Sequence, residues 1–348
     1  MPLPPVEEVL AHAVVVRLPM RVRFRGLDTR EAVLLRGPSG WAEFAPFLEY
    51  ADAEASRWLA AALASGWEPP VPAVRDTVPV NATVPAVAAH QVAGVLARFP
   101  GCTTAKVKVA EPGQDLRQDV DRVAAVVEAL GPDGRIRVDA NGAWPVREAV
   151  DALRALAAAC GAAVFEYAEQ PCATLPELAE LRVALARAGL DLAVAVDESV
   201  RKAEDPLRIA VAGAADVVLL KVAPLGGVRA ALEVARVLGE EHGLPVVVSS
   251  ALDTSVGIAA GVELAAALPG LPYACGLATV GLLARDVAVE PLVARQGVLS
   301  VATARALTLD PAALTELGAP AAVREHWLDR VRRCHRLLTD ADCARIDP

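Results

Sequence analysis

The chain is poor in aromatic side chains: Phe, Trp and Tyr together make up 4% of its 348 residues. Its apolar content is mostly Ala, Val and Leu. Small and β-branched side chains suit parallel strands buried on both faces beneath a layer of helices. No run of about 18 uncharged apolar residues occurs, so no membrane span is expected. The N-terminal stretch, Met1 to Leu10, carries two glutamates and lacks the basic-then-apolar pattern of a signal peptide. No Cys-x-x-Cys pair exists among Cys102, Cys160, Cys172, Cys275, Cys334 and Cys343. Scattered along a large chain, they form neither a disulfide framework nor a zinc site and read as reduced thiols of a cytoplasmic protein. Positive charge is also short, with 34 Lys and Arg against 43 Asp and Glu and a net charge of −9. Nucleic acid is therefore not an expected partner, because phosphate contacts need clustered basic residues. The densest basic runs, residues 17–25 and 330–336, read as solvated faces or local ion pairs.

What is present is a large core. Hydrophobic residues are 54% of the chain and charged residues 22%, a balance that excludes disorder. The length suits one barrel and a smaller companion. Residues 14–24 and 32–36 read as strands, with Gly26 and Gly37-Pro38-Ser39-Gly40 as turns, and residues 52–64 read as a helix. This is a small α+β unit, followed by a proline-rich linker at 66–72. From residue 78 onward short apolar strands alternate with helices. Eight strand-like runs cover 78–84, 105–109, 135–140, 163–169, 192–198, 216–222, 245–251 and 273–279. The clearest helix is 116–130, with Leu116, Val120, Val123, Val127 and Leu130 on one stripe. Another is expected at 228–238, opened by Gly226-Gly227 and ended by Gly243. Eight strands alternating with helices predict an α/β fold of the (β/α)8, TIM-like barrel type. A doubly wound open sheet is the runner-up, but no glycine-rich phosphate loop follows the first strand. The stretch after Ala288 mixes strand and helix and is expected to pack back on the N-terminal unit.

A barrel carries its site at the C-terminal ends of its strands. Here the second strand contains Lys106-Val107-Lys108 and the third ends Arg137-Val138-Asp139-Ala140-Asn141. The fourth ends Glu169-Gln170-Pro171, the fifth Asp197-Glu198-Ser199 and the sixth Lys221. Alternation puts Lys106 with Lys108, Arg137 with Asp139, Glu169 with Tyr167, Asp197 with Ala195 and Lys221 with Leu219. Five consecutive strands thus each end in an ionisable group on one face. Three converging carboxylates repel unless a cation holds them, and all-oxygen donors with open positions suit Mg²⁺ or Mn²⁺. Lysines flanking such an ion feel positive charge, which favours a neutral, basic amine. Taken singly, each residue has an ordinary explanation: an edge lysine, a helix-capping aspartate, or an Arg137 that merely pairs with Asp139.

Taken together, Lys106-Val107-Lys108, Asp139-Ala140-Asn141, Glu169-Gln170-Pro171, Asp197-Glu198-Ser199 and Lys221 resemble the strand-end motifs of the enolase superfamily, muconate-lactonizing subgroup. The resemblance implies an enolase-like architecture: an α+β capping domain (residues 1–77), the barrel (78–287) and a C-terminal segment (288–348) that returns to the cap. It implies Mg²⁺, with Mn²⁺ as the alternative, held by Asp139, Glu169 and Asp197 against a small-molecule carboxylate substrate. It further implies Lys108 as the base that takes the α-proton, Lys221 as the opposing cation, Lys106 as a support that lowers the pKa of Lys108, and an enediolate stabilised by the metal.

Departures narrow the reaction. Dehydratases of the mandelate-racemase type carry a histidine at the end of the seventh strand; here Ser249-Ser250 stand there and His242 lies before the strand. Dipeptide epimerases carry paired aspartates near the eighth strand; here the stretch is Gly276-Leu277-Ala278-Thr279-Val280-Gly281. What remains is similar to the o-succinylbenzoate synthase family, through Arg137 two residues before Asp139, through Ser249-Ser250 and through Gly276. Tight packing at the barrel rim is the ordinary reading of those small residues. The resemblance implies dehydration of 2-succinyl-6-hydroxy-2,4-cyclohexadiene-1-carboxylate to o-succinylbenzoate in menaquinone biosynthesis. Three alternatives stay open: an N-acylamino acid racemase or other lysine-pair racemase, a muconate-lactonizing cycloisomerase, and an inactive barrel acting as a binding module. The segment between Arg17 and Gly26 is the expected lid. Nothing in the sequence fixes the oligomeric state.

Overall fold

The structure, a computed structural model, describes residues 3–161, 165–201 and 207–346. The chain opens with α1 (Val6–Leu10) and an antiparallel sheet of β1 (Val14–Phe24), β2 (Leu27–Gly37) and β3 (Gly40–Phe44). The strand expected at 32–36 is only the second half of β2. Its polar first half is strand because it pairs with β1, Arg17 opposite Glu31 and Leu18 opposite Arg30, and the Arg17–Glu31 contact of 3.0 Å is a cross-strand ion pair. The expected lid is therefore not a loop but the tip of this hairpin, turning through Arg25 and Gly26 at φ 51° and 73°. The next helix, α2 (Asp52–Trp67), takes in the first two residues of the expected linker. Trp67 is buried and its indole donates to Glu8 at 2.8 Å, so apolar burial and a hydrogen bond extend the helix past the glycine at 66.

The strand expected at 78–84 is broken in two. β4 (Thr77–Pro79) pairs antiparallel with β12 (Val298–Ser300), while β5 (Ala82–Val84) enters the barrel. Pro79 has no N–H to give a ladder, so the chain changes partner there. After α3 (Val92–Leu96) follow β6 (Thr104–Lys108), α4 (Leu116–Leu130), β7 (Arg135–Asp139), α5 (Val146–Cys160), β8 (Phe165–Glu169), α6 (Leu175–Arg187) and β9 (Ala193–Val196). The expected start of the fourth run, Ala163, lies outside the described residues. The chain continues through α7 (Glu198–Arg201), α8 (Arg208–Val211), β10 (Val217–Leu220), α9 (Val228–Glu240), β11 (Val246–Val248) and α10 (Ser255–Ala267). Strands β5 to β11 form one parallel sheet in sequence order. The eighth strand is shorter than the expected 273–279. It is reduced to Cys275, bridged to Val80, and Gly276, bridged to Ser249. These bridges close the ring, with Asn81 N–H donating to Cys275 at 3.0 Å and Gly276 N–H to Val248 at 2.8 Å. Beyond them Thr279–Leu282 coils into a 3₁₀ turn.

Alternation along the strands sorts the core. Ala105, Val107, Ile136, Val138, Ala168, Val194, Val218 and Leu220 face outward and pack under the helices. Tyr167, Ala195, Val217, Leu219 and Val247 face inward and fill the barrel floor. Helix α4 has the expected bounds, and Val120, Val123, Val127 and Leu130 of the expected stripe pack on the core, but the buried face is wider than expected. Leu116 is exposed, whereas Asp119, Arg122, Val123 and Val126 are buried. After α11 (Val301–Arg305) and α12 (Pro311–Glu316), α13 (Ala321–Ile346) lies on α2. In it Arg330 is not solvated: it is buried and donates to the Phe47 and Tyr50 carbonyls. The five described cysteines are free and buried. Among the described residues no helix is long and apolar enough to cross a membrane.

Candidate active site

Register builds the site. Across β6, β7 and β8, Lys106 stands beside Arg137 and Tyr167, and one layer higher Lys108 stands beside Asp139 and Glu169. Glu169 is level with Ala195 of β9, so Asp197, two residues on, rises one layer further. Lys221 follows the last residue of β10. With the eighth position closed by the two bridges, β6 and β10 are the second and sixth of eight, which places Lys108 and Lys221 across the barrel from each other. All of these groups are at least nine-tenths buried.

The ammonium of Lys106 donates to both oxygens of Glu169 at 2.9 and 3.1 Å and lies 3.3 Å from Asp139. Lys108 donates to the same Asp139 oxygen at 2.5 Å and to the Asn141 side chain at 2.7 Å. Lys221 donates to Asp197 at 2.6 Å. Burial works against the Asp139 carboxylate, but Lys108 and Lys106 outweigh it and hold its pKa well below the usual range. Glu169 is pushed up to about 8, by burial first and then by Asp139. Burial alone would lower the pKa of Lys106, yet Glu169 and Asp139 raise it.

Two turns behind these carboxylates adopt the left-handed region, at Asn141 (φ 49°) and Gln170 (φ 40°). The Gln170 side chain stabilises its own unusual backbone. It accepts from the N–H groups of Asp197 at 3.0 Å and Ser199 at 3.3 Å, and donates to the Ser199 hydroxyl at 2.8 Å. It thereby ties the end of β8 to the end of β9.

Of the expected substrate-side residues, Ser249, Ser250 and Gly276 line the same pocket as the lysines. A Cβ on Gly276 would stand 2.6 Å from the Ser249 hydroxyl, so the glycine is also required by packing. Ser250 donates to the Gly276 carbonyl at 3.0 Å and meets the Thr279 hydroxyl at 2.8 Å. Arg137 is elsewhere. It lies beneath the pocket, fully buried, stacked on Tyr167 and Tyr273 at 4.8 and 5.6 Å. A bulge in β8 brings Glu166 to it at 2.6 Å, and it donates to Asn81 at 3.1 Å and to the Ala274 carbonyl at 2.6 Å. Its ionic partner is Glu166, not Asp139, and it pins the short eighth strand.

Sequence reasoning missed Phe24, Arg25, Phe47, Thr83, Leu252 and Thr279, which complete the pocket wall. Phe24 and Arg25 are the hairpin tip. Lys108 lies 5.3 Å from the centre of the Phe24 ring. Only the lid expectation pointed toward them; nothing marked Phe47. About 430 Å³ of space, part of it open to solvent, lies among these side chains.

Asp139, Glu169 and Asp197 bring hard oxygen donors from three neighbouring strands, the donor type that suits a divalent cation. As arranged, no three acidic, His or Cys side chains among the described residues converge as a metal cage, because the lysine ammoniums lie against these carboxylates. The donor chemistry fits; a bound cation would replace ammonium contacts at those oxygens.

A capped barrel with two lysines facing across three strand-end carboxylates defines an enolase-type barrel. Family models agree: residues 15–66 match the enolase N-terminal domain-like family and residues 88–311 the enolase C-terminal domain-like family. The chain is 56% identical to the o-succinylbenzoate synthase of Mycobacterium tuberculosis over 97% of both chains. It is 53% identical to that of Mycolicibacterium smegmatis over 97% of this chain and 99% of the relative. A muconate lactonizing enzyme from Pseudomonas fluorescens, solved with muconolactone, superposes with a TM-score of 0.72 at 23% identity, covering 88% of this chain and 98% of that one; this likeness concerns the fold. The chain belongs to the enolase superfamily and, within it, to the o-succinylbenzoate synthase family. Enzymes of this superfamily depend on a divalent metal.

Proposed function

We propose that the chain is a lyase that dehydrates 2-succinyl-6-hydroxy-2,4-cyclohexadiene-1-carboxylate to o-succinylbenzoate. The observation that carries the reading is Lys108 and Lys221 facing each other across Asp139, Glu169 and Asp197, in a chain more than half identical to named synthases. Asp139, Glu169 and Asp197 would hold Mg²⁺, for which Mn²⁺ could substitute because both accept all-oxygen donors. When bound, the ion neutralises the substrate carboxylate and the negative charge that develops on it.

Lys108 acts as the base and removes the proton at C1. The C–H electrons move into the ring and carboxylate, the C6–O bond breaks, and the ring becomes aromatic. The hydroxide leaves as water with the proton that Lys108 took up, so the amine is regenerated. Lys106 shares an Asp139 oxygen with Lys108 and supports it from the layer below. Lys221 stabilises the anion from the opposite face. Ser249, Ser250 and Gly276 shape the wall for the succinyl arm, while Arg137 acts through the barrel floor. We further infer that residues 1–77, 78–287 and 288–348 serve as cap, barrel and returning segment. Free buried thiols support a reducing, cytoplasmic setting.

The test follows diene absorbance with metal-loaded protein, with and without chelator, for the parent and Lys108→Ala. Turnover that chelator removes and that falls at least about 10³-fold in the variant is expected. No turnover by the metal-loaded parent would sink the assignment. The symmetry of the two lysines favours one second reading, a racemase acting on N-acylamino acids. A racemase needs both lysines as proton carriers, so Lys221→Ala would leave only one-sided proton exchange in deuterated water. A synthase keeps measurable dehydration in that variant.

A further inference from the structure

We propose that Asp119 and Arg122 of α4 are positioning residues that set the direction in which Lys108 leaves its strand; this rests on Lys108 being the base. Helices α5, α6 and α9 turn only apolar side chains inward. Helix α4 alone of these four buries an ion pair, Arg122 to Asp119 at 2.7 Å, with the two side chains 1% and 2% exposed. Both reach the end of β6. Arg122 donates to the Lys108 carbonyl at 2.8 Å. Asp119 accepts from the Ala110 N–H at 2.8 Å, where the chain turns with φ 57°. The Lys108 carbonyl and the Ala110 N–H, on either side of Val109, are thereby held by one helix, while the Val109 N–H donates to the Asp139 carbonyl of β7 at 3.1 Å. Arg122 also donates to the Val87 carbonyl at 2.6 Å and to Gln114, and Gln114 donates to Ala86 at 2.8 Å. Ala86, Gln114, Lys108 and Asn141 border one opening beside the hairpin tip.

A buried guanidinium is costly unless its donors are satisfied. Here its hydrogen bonds go to the strand end that carries the base and to the segments beside it. That choice fixes the Cα–Cβ direction of Lys108 without touching the substrate or the three carboxylates. Proton abstraction depends steeply on such placement, and a displacement of about 1 Å costs on the order of 10²-fold.

The experiment compares the metal-loaded parent with Asp119→Asn and Arg122→Lys, and repeats both substitutions in the Lys108→Ala background, where residual diene loss is followed at high protein concentration. Folded fraction is measured by circular dichroism for every variant, so Asp119→Asn, which preserves shape, remains informative if Arg122→Lys folds poorly. The expected result is a 10- to 100-fold fall in kcat per folded molecule, with KM and divalent-metal affinity within about threefold of the parent, and no further loss in the Lys108→Ala background. A loss that equals the loss of folded protein, or the same proportional loss in both backgrounds, would overturn the proposal. Failure of the underlying reading is separate: it shows as an inactive parent, or as a Lys108→Ala variant that turns over normally.

Discussion

At the residue scale the site is a charge puzzle. Three lysines and three carboxylates are nearly buried together, and the ions are tolerable only because each meets an opposite charge at 2.5–3.3 Å. A buried ion cluster of this kind is retained for chemistry rather than for stability. Gly276 makes the same point for shape. Its Cβ would press on the Ser249 hydroxyl at 2.6 Å and the Ser249 Cβ at 3.2 Å, both on the pocket wall. Gly276→Ala should therefore push Ser249 into the space expected for the succinyl arm. KM should rise roughly tenfold or more, an effect of about 1.4 kcal/mol or above, while kcat falls less. Adding Ser249→Ala to that variant removes the nearer of the two contacts and should recover part of KM. Steady-state kinetics of the single and double variants decides it; equal KM in parent and Gly276→Ala would mean that this wall does not touch the substrate.

At the element scale the joint between cap and barrel carries its own titrating group. Glu43 of β3 accepts from the N–H groups of Thr254 and Gly257, each at 3.1 Å, and from the Thr254 hydroxyl. Arg30 of β2 donates to the Leu252 carbonyl at 3.2 Å. The cap thus grips the turn that follows the pocket residues of β11. Burial, then the neighbouring Asp253, pushes the Glu43 carboxyl up to about 8. A carboxyl raised in the folded state binds a proton that the unfolded chain has already lost, so stability falls as pH rises from the ordinary glutamate value to about 8. The loss has a limiting slope of about 1.4 kcal/mol per pH unit for one proton. Glu43→Gln should flatten that part of the stability curve, so that the variant gains stability relative to the parent as pH rises to about 8. Urea unfolding at several pH values, with metal saturating so that Glu169 stays ionised, reads it directly; parallel curves for parent and variant would rule Glu43 out. The elements themselves were unevenly legible. β6 to β8 announced themselves because period-2 alternation places charges on one face and Val, Ile or Ala on the other. The eighth strand was read too long, because only two of its residues pair, and the apolar stretch around Leu277 packs against α10 instead. The first barrel strand was misread as continuous because Val78 to Val84 is rich in Val and Ala throughout while Pro79 silently redirects the pairing. The buried pair on α4 was hidden because Asp119 and Arg122 look like solvent residues in a helical pattern.

At the scale of the whole molecule the pocket is shared between two units, and that sharing is what the sequence hid most. The three carboxylates and the lysines are strand ends, placed by periodicity, but Phe24, Arg25 and Phe47 come from the cap and reach the pocket only through tertiary packing. Phe47 is held from several sides. Arg25 and Arg30 lie over its ring at 4.4 and 4.6 Å, and the Trp58 ring meets it at 6.1 Å. Arg330, from the C-terminal helix, binds its carbonyl. The same helix supplies Trp327, fully buried edge-on against Phe44 at 5.9 Å, with its indole donating to Glu31 at 2.8 Å. The returning segment therefore braces the cap, and the cap in turn walls the site. Trp327→Ala should leave a cavity in the cap cluster and cost roughly 3–5 kcal/mol of stability, seen as a lower urea midpoint for loss of tryptophan fluorescence. Because the carboxylates and lysines stand on barrel strands that Trp327 does not touch, metal affinity should be unchanged. KM should rise as the wall around Phe47 loosens. If the variant instead lost metal affinity and kcat together with KM unaltered, the cap would be bracing the barrel itself rather than completing its pocket, and Phe47 would have no part in holding the substrate.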